Sequence, residues 1–294
     1  MGICNGRTVI ITGAGGGLGR AYALAFAAEG ANVVINDIRA DAAADVAGEI
    51  RAGGGQALAN SDDITSLDSA QRIVDAALAA FGEVHVLVNN AGVLRDRMFI
   101  SLSEDDWDLV MRVHLKGHYC LANILGRRWR DLAKAGTPVA ARILNTSSGA
   151  GLQGSIGQAN YAAAKGGIAA LTLVQAAELA RYGVTVNALA PAARTAMTES
   201  AMPDVVRRPE DGSFDAWAPE NVAPLVVWLG SEGSAQVTGQ VFESQGGRIS
   251  LGDGWRTGVT RDKGALWSVE EVGAAVQAIL EEAPKAQKVW GSQA

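Results

Sequence analysis

The chain of 294 residues is 48% hydrophobic and 19% charged, a composition that can bury a large core and excludes a disordered chain. A net charge of −6 with no long basic run excludes a nucleic-acid partner. Two distant cysteines exclude a disulfide scaffold, and no segment has the ~20 apolar residues of a membrane span or the apolar core of a leader, so a cytoplasmic protein with no membrane partner is expected.

The first apolar run, Thr8–Thr12, predicts a strand. It leads into Gly13-Ala14-Gly15-Gly16-Gly17-Leu18-Gly19 and a predicted helix over 18–29 that stops at Gly30. Glycines at a strand-to-helix junction let backbone N–H groups approach a pyrophosphate, and the helix N-terminus adds partial positive charge. Gly13, Gly15, Gly16, Gly17, Leu18 and Gly19 are therefore cofactor-binding candidates. The second strand, Asn32–Asn36, ends at Asp37. A carboxylate there accepts both ribose hydroxyls of NAD and repels the extra phosphate of NADP. Arg39 is the residue type that accommodates that phosphate, so NADP stays the lesser alternative.

A helix over 40–51 and the strand Gln56–Asn60 follow, and Asp63 and Ile64 are placed to touch adenine. The helix Leu67–Phe81 stops at Gly82 and leads to a strand over 85–89. Asn90, Ala91 and Gly92 after it can hold the strand end open beside the cofactor, or simply form a turn. Ser103 opens the next helix. Beyond a strand at 142–146 come Ser148, a glycine-rich loop and a helix over 159–182 that carries Tyr161 and Lys165. Strand 184–189 ends near Pro191. The segment 192–219 reads as a substrate loop, 240–243 as the last strand, and 250–294 as a C-terminal extension with a helix at 268–282 and a frayed end. Most of these strands are apolar on both faces, which predicts an α/β doubly wound parallel sheet covered by helices on each side, and with the glycine turn this reads as a single dinucleotide-binding domain over 1–294.

Tyr161 and Lys165 are one helical turn apart, whereas Tyr22, Tyr119 and Tyr182 have no lysine at that offset. A phenol titrates near ~10, too high for a base at neutral pH. A neighbouring ammonium favours the phenolate. The Ser148 hydroxyl can hold a substrate oxygen while Tyr161 takes or gives its proton and nicotinamide takes or gives hydride. Gly13, Asp37, Asp63, Ser148 and Pro191 all fall just past predicted strand ends, the edge where an open parallel sheet binds ligands.

These residues together resemble the short-chain dehydrogenase/reductase family over about residues 5–250. The resemblance implies a seven-stranded Rossmann-like sheet, hydride transfer, and a homodimer or homotetramer whose face uses the helices of His114 and Tyr161. It also implies that Lys165 binds the nicotinamide ribose. Leu94-Arg95-Asp96-Arg97, Arg112-Val113-His114-Leu115-Lys116-Gly117 and Gly157-Gln158-Ala159-Asn160-Tyr161 are similar to the NAD-dependent (3R)-hydroxyacyl-CoA dehydrogenase branch found in peroxisomal multifunctional enzyme type 2, also described as 17β-hydroxysteroid dehydrogenase type 4.

His114 stands where the family places a proton-relay asparagine, so it joins Ser148, Tyr161 and Lys165 as a catalytic candidate. The usual Pro-Gly pair is Pro191-Ala192, and Thr195 is expected to reach the cofactor amide. The expected partner is a hydrophobic alcohol or ketone, a 3-hydroxyacyl-CoA thioester or a hydroxysteroid. Arg207 and Arg208 are candidates for CoA phosphates, and the five tryptophans from Trp217 onward for a pocket wall or interface. Two alternatives remain: an NADPH-dependent 3-oxoacyl-carrier-protein reductase, and a non-catalytic nucleotide-sensing module. His114 and His118 lie one turn apart, but no further ligands accompany them, so no metal is expected.

Overall fold

Val9 and Ile11 enter one hydrophobic core and Ile10 enters another, so the first strand is buried on both faces. This is the physical content of an apolar run without alternation. In the computed structural model, which describes residues 2–285 and 287–292, eight strands form one sheet: β1 Thr8–Thr12, β2 Asn32–Asn36, β3 Gln56–Asn60, β4 Val86–Asn89, β5 Ala141–Thr146, β6 Val184–Pro191, β7 Val241–Gln245 and β8 Arg248–Leu251. Their order is β3-β2-β1-β4-β5-β6-β7-β8. The first seven run parallel, as the sequence predicts. The eighth, which the sequence reading lacks, pairs antiparallel with β7 across the tight turn at Gly246 and Gly247. Gly246 sits at φ 55°, a conformation its two-residue hairpin requires and glycine supplies without strain.

The helices are α1 Gly17–Ala28, α2 Ala40–Ala52, α3 Leu67–Phe81, α4 Glu104–Met111, α5 Gly117–Lys134, α6 Gly149–Gln153, α7 Ala159–Leu179, α8 Ala196–Ala201, α9 Ala223–Gly230 and α10 Val269–Glu282. Helices α1, α2 and α9 cover one face through Tyr22, Phe26, Val46, Ile50 and Val226. Helices α3 and α5 cover the other through Ile73, Leu121, Leu125 and Trp129. Each such side chain contributes about 1.5–3 kcal/mol when fully buried.

Three local features depart from the sequence reading. Residues Arg112–Lys116 form a π-helical turn that joins α4 to α5 and carries His114. The glycine-rich segment after Ser148 closes into the short helix α6, and the segment read as an irregular substrate loop contains α8. The chain is expected to fray after Glu282, yet Trp290 is paired with Ser155 in the loop after Ser148; residues 286, 293 and 294 lie outside the described residues. Among the described residues, no helix is long and apolar enough to cross a membrane.

Candidate active site

Strand order reverses at β1, which has β2 on one side and β4 on the other. A cleft of about 680 Å³ opens there, at the C-terminal ends of the strands. Its lining runs from Gly13, Gly16, Gly17 and Leu18, past Asp37, Asp63 and Ile64, to Ala91, His114, Tyr161 and Lys165. Pro191 and Thr195 close the other side.

The glycine turn holds its shape through close packing. Gly13 has φ 63°, and a side-chain carbon there would lie 2.8 Å from Ala91 Cα. No side chain caps α1, whose N-cap is Gly16. The first-turn N–H groups therefore face the cleft as an anion site, which fits the pyrophosphate of a dinucleotide. Asn90 has a holding role: its Nδ2 donates to the carbonyls of Thr12 (3.0 Å) and Gly13 (3.3 Å). Thr12, which the sequence reading missed, accepts the N–H groups of Asn90 (2.9 Å) and Ala91 (3.0 Å) on its hydroxyl.

Asp37 is buried at the end of the cleft beside the glycine turn. Its carboxylate accepts the Gly15 N–H at 3.0 Å, and the Arg39 N–H and Nε at 3.0 and 3.1 Å. Burial pushes its pKa up, but the bonds from Arg39 and Gly15 outweigh this and hold it below the usual carboxylate range. The Arg39 side chain is 66% exposed and reaches across this edge of the glycine turn. Asp63 is engaged locally, accepting the N–H and hydroxyl of Thr65 at 2.9 and 2.8 Å.

At the opposite end, α7 brings Tyr161 and Lys165 to one face. Lys165 Nζ donates to the Thr146 carbonyl at 2.5 Å and lies 5.5 Å from the Tyr161 ring centroid. The His114 and Tyr161 rings meet edge to face, with centroids 5.2 Å apart. Gly92 makes room for this imidazole, since a side-chain carbon there would lie 2.3 Å from His114 Cε1. His114 Nε2 is within hydrogen-bond distance of both the N–H (3.0 Å) and the carbonyl (2.8 Å) of Val93, while its buried Nδ1 has no protein partner.

Burial sets the charges of this cluster. It lowers Lys165 to about 7. It pushes the Tyr161 phenol up, against a downward pull from the Ser148 hydroxyl and with a further push from Asp96. Burial, aided by the Lys165 charge and opposed by the Val93 bond, lowers His114 to about 3. The expectation that a lysine ammonium drags the phenol down therefore needs correction: in the free protein, desolvation dominates both groups and favours their neutral forms.

Ser148 lies beyond the cleft lining. Its hydroxyl caps α6 by accepting the Ala150 N–H at 3.2 Å, and it lies close enough to the Tyr161 phenol to pull its pKa down. Thr195 caps α8 and faces Gly17 across the cleft; its Cγ2 would lie 3.2 Å from a side-chain carbon at that glycine. His118 accepts the Thr146 N–H at 3.3 Å on its Nε2, so it holds the strand end to which Lys165 is bonded. Among the described residues, no group of three or more His, Cys, Asp or Glu side chains could hold a metal. Arg207, the candidate for a CoA phosphate, is exposed and pairs with Asp204 at 2.7 Å, and Trp255, among the candidates for a pocket wall or interface, is fully exposed. Thr12, Val93 and Thr146 escape a reading by residue type because backbone groups, present at every position, do much of their work.

The family model for short chain dehydrogenases matches residues 7–205. Hydroxyacyl-CoA dehydrogenase ChsB1 of Mycobacterium tuberculosis is 46% identical over 257 residues, 84% of this chain and 80% of that protein. Peroxisomal multifunctional enzyme type 2 of Mus musculus is 43% identical over 260 residues, 85% of this chain but 32% of that longer protein. The crystal structure of a short chain dehydrogenase from Mycobacterium avium superposes with a TM-score of 0.91 at 52% identity, over 99% of this chain and 100% of that one.

Proposed function

The chain belongs to the short-chain dehydrogenase family and is an oxidoreductase, and from that premise we propose that it is an NAD-dependent dehydrogenase of 3-hydroxyacyl-CoA thioesters, folded as one dinucleotide-binding unit. One observation carries this reading: Tyr161, Lys165 and His114 converge at one end of a cleft whose other end is the glycine turn with Asp37. The substrate class is supported by the hydroxyacyl-CoA dehydrogenase name of ChsB1, with hydroxysteroids as the neighbouring class.

The site fits a nicotinamide dinucleotide. The free N–H groups of α1 suit its pyrophosphate, Asp37 suits an adenosine ribose without a phosphate, and Lys165 suits the second ribose. When bound, the nicotinamide takes the hydride from the alcohol carbon or returns it. Tyr161 handles the proton on the substrate oxygen, and Ser148 donates a hydrogen bond to that oxygen. Lys165, titrating at about 7, supplies the amine that exchanges a proton with the phenol side of the site. His114 stays neutral and packs edge to face against the Tyr161 ring.

The test is turnover of 3-hydroxyacyl-CoA and hydroxysteroid substrates with NAD+ and NADP+ side by side. Preferential oxidation of an acyl-CoA with NAD+ is expected. Arg39 favours a second reading, because its exposed guanidinium could leave Asp37 for a ribose phosphate. A preference for NADPH with an acyl-carrier-protein thioester would establish that reading, and tight NADH binding with no turnover would point to a sensing module. We also propose a homodimer or homotetramer. An apolar groove of about 590 Å³ lined by Met111, Leu115, Tyr119 and Leu171 supports it, and sedimentation velocity tests it.

A further inference from the structure

The loop that carries Ser148 is a thin plate held between two neighbours. On one side, a side-chain carbon at Gly151 would lie 2.5 Å from the backbone carbon of Lys165. On the other, a side-chain carbon at Gly149 would lie 2.9 Å from Cη2 and 3.1 Å from Cζ2 of Trp290. The indole thus rests on the residue next to Ser148, and glycine at both positions is what lets α6 fit the gap.

Backbone hydrogen bonds fix the same contact. The Trp290 N–H donates to the Gly154 carbonyl at 3.2 Å, and the Ile156 N–H donates to the Trp290 carbonyl at 3.0 Å. Val289 lies 3.3 Å from a side-chain carbon placed at Gly154, and Ile156 lies 3.5 Å from one placed at Gly291. A five-residue helix has too few internal bonds to hold itself in place. The strap comes from the far end of the chain, outside the 7–205 segment that matches the family model.

We propose that Trp290 is a positioning residue: the C-terminal strap pins α6 against the backbone of Lys165 and so fixes where the Ser148 hydroxyl meets the substrate oxygen. This rests on the role assigned to Ser148 above. A shift of about 1 Å in a reacting group costs on the order of 100-fold in rate, so an anchor of this kind is felt at the oxygen even though its indole touches no reacting atom. Trp290 is 49% exposed, so truncating it leaves most of the fold intact.

The experiment compares wild type with Trp290→Ala and Trp290→Phe by amide hydrogen exchange and by steady-state kinetics on whichever alcohol the wild type oxidises fastest. Trp290→Ala should raise exchange at Ile156 and lower kcat by roughly ten- to a hundredfold, with the NADH Kd unchanged. Trp290→Phe should keep most of both. In a Ser148→Ala background, Trp290→Ala should cost nothing more. Gly149→Ala should mimic the loss, and adding Trp290→Ala to it should cost nothing more, because both act through the same contact. Wild-type exchange at Ile156 in Trp290→Ala, or wild-type kcat despite faster exchange, overturns the proposal. The exchange measurement needs no substrate, so an incorrect substrate assignment would not be mistaken for failure of the strap.

Discussion

The fold takes Lys165 out of water and sets its Nζ against the Thr146 carbonyl, so the amine loses its proton at about 7, near neutral pH. Alcohol oxidation needs a proton acceptor, so kcat/KM in that direction should rise with pH through about 7. Lys165→Arg should remove this limb, because a guanidinium keeps its charge throughout. A limb unchanged in that variant would place the titration elsewhere. Tyr161→Phe should lower kcat by about 100- to 10,000-fold while NADH fluorescence titration gives a near-normal Kd. Near-normal turnover would remove Tyr161 from the proton step. At Asp37, the carboxylate is already bonded to Gly15 and Arg39 before any ribose arrives. Asp37→Ala should both loosen this edge of the turn and free Arg39, shifting the NAD-to-NADP ratio of kcat/KM toward NADP by roughly tenfold, about 1.4 kcal/mol. The identity of these residues was legible because a phenol, an amine and a carboxylate are rare in apolar surroundings. Their protonation was not, because it depends on how much water the finished fold excludes.

Among the elements, the segment over the cleft mouth shows where periodicity stops informing. Its proline content marks it as irregular, yet Thr195 starts α8 with a capping box formed with Thr198. Arg194 then anchors the rest. Its Nη1 donates to the Val206 carbonyl at 2.9 Å, its guanidinium forms a two-pronged pair with Asp215, and its N–H donates to the Trp217 carbonyl at 2.6 Å. Arg194→Ala should raise KM for the alcohol substrate severalfold and speed proteolytic nicking within 202–215, because Thr195 follows this anchor directly and lines the cleft. Unchanged KM and nicking would show that the anchor does not shape the mouth. The π-helical turn at His114 is likewise invisible in the sequence. It presents the His114 ring to Gly92, Val93 and Tyr161, segments that only the fold brings beside it.

At the scale of the whole molecule, two cores sandwich the sheet and bury imidazoles as well as hydrocarbon. Folded His114 titrates at about 3 against an ordinary value of 6.5, and buried His118 is also pushed well down. Between those pH values the unfolded chain binds more protons, so stability is lost as pH falls from 6.5 toward 3. The thermal midpoint should fall across that window, and His114→Asn should flatten the slope. A slope identical to wild type would show that His114 does not titrate on unfolding. The sequence by itself determined the parallel order of β-α units, the glycine turn, the carboxylate of Asp37 just past the second strand and the Tyr161–Lys165 pair, because these follow from local polarity, periodicity and the special geometry of glycine. Only the tertiary structure decided the added β8 edge, the protonation of the buried pair and the return of Trp290 to the Ser148 loop. The buried pair and the return of Trp290 depend on contacts between segments remote in the chain, which no local pattern encodes, and β8, although only a two-residue turn from β7, is a strand because β7 is there to pair with it.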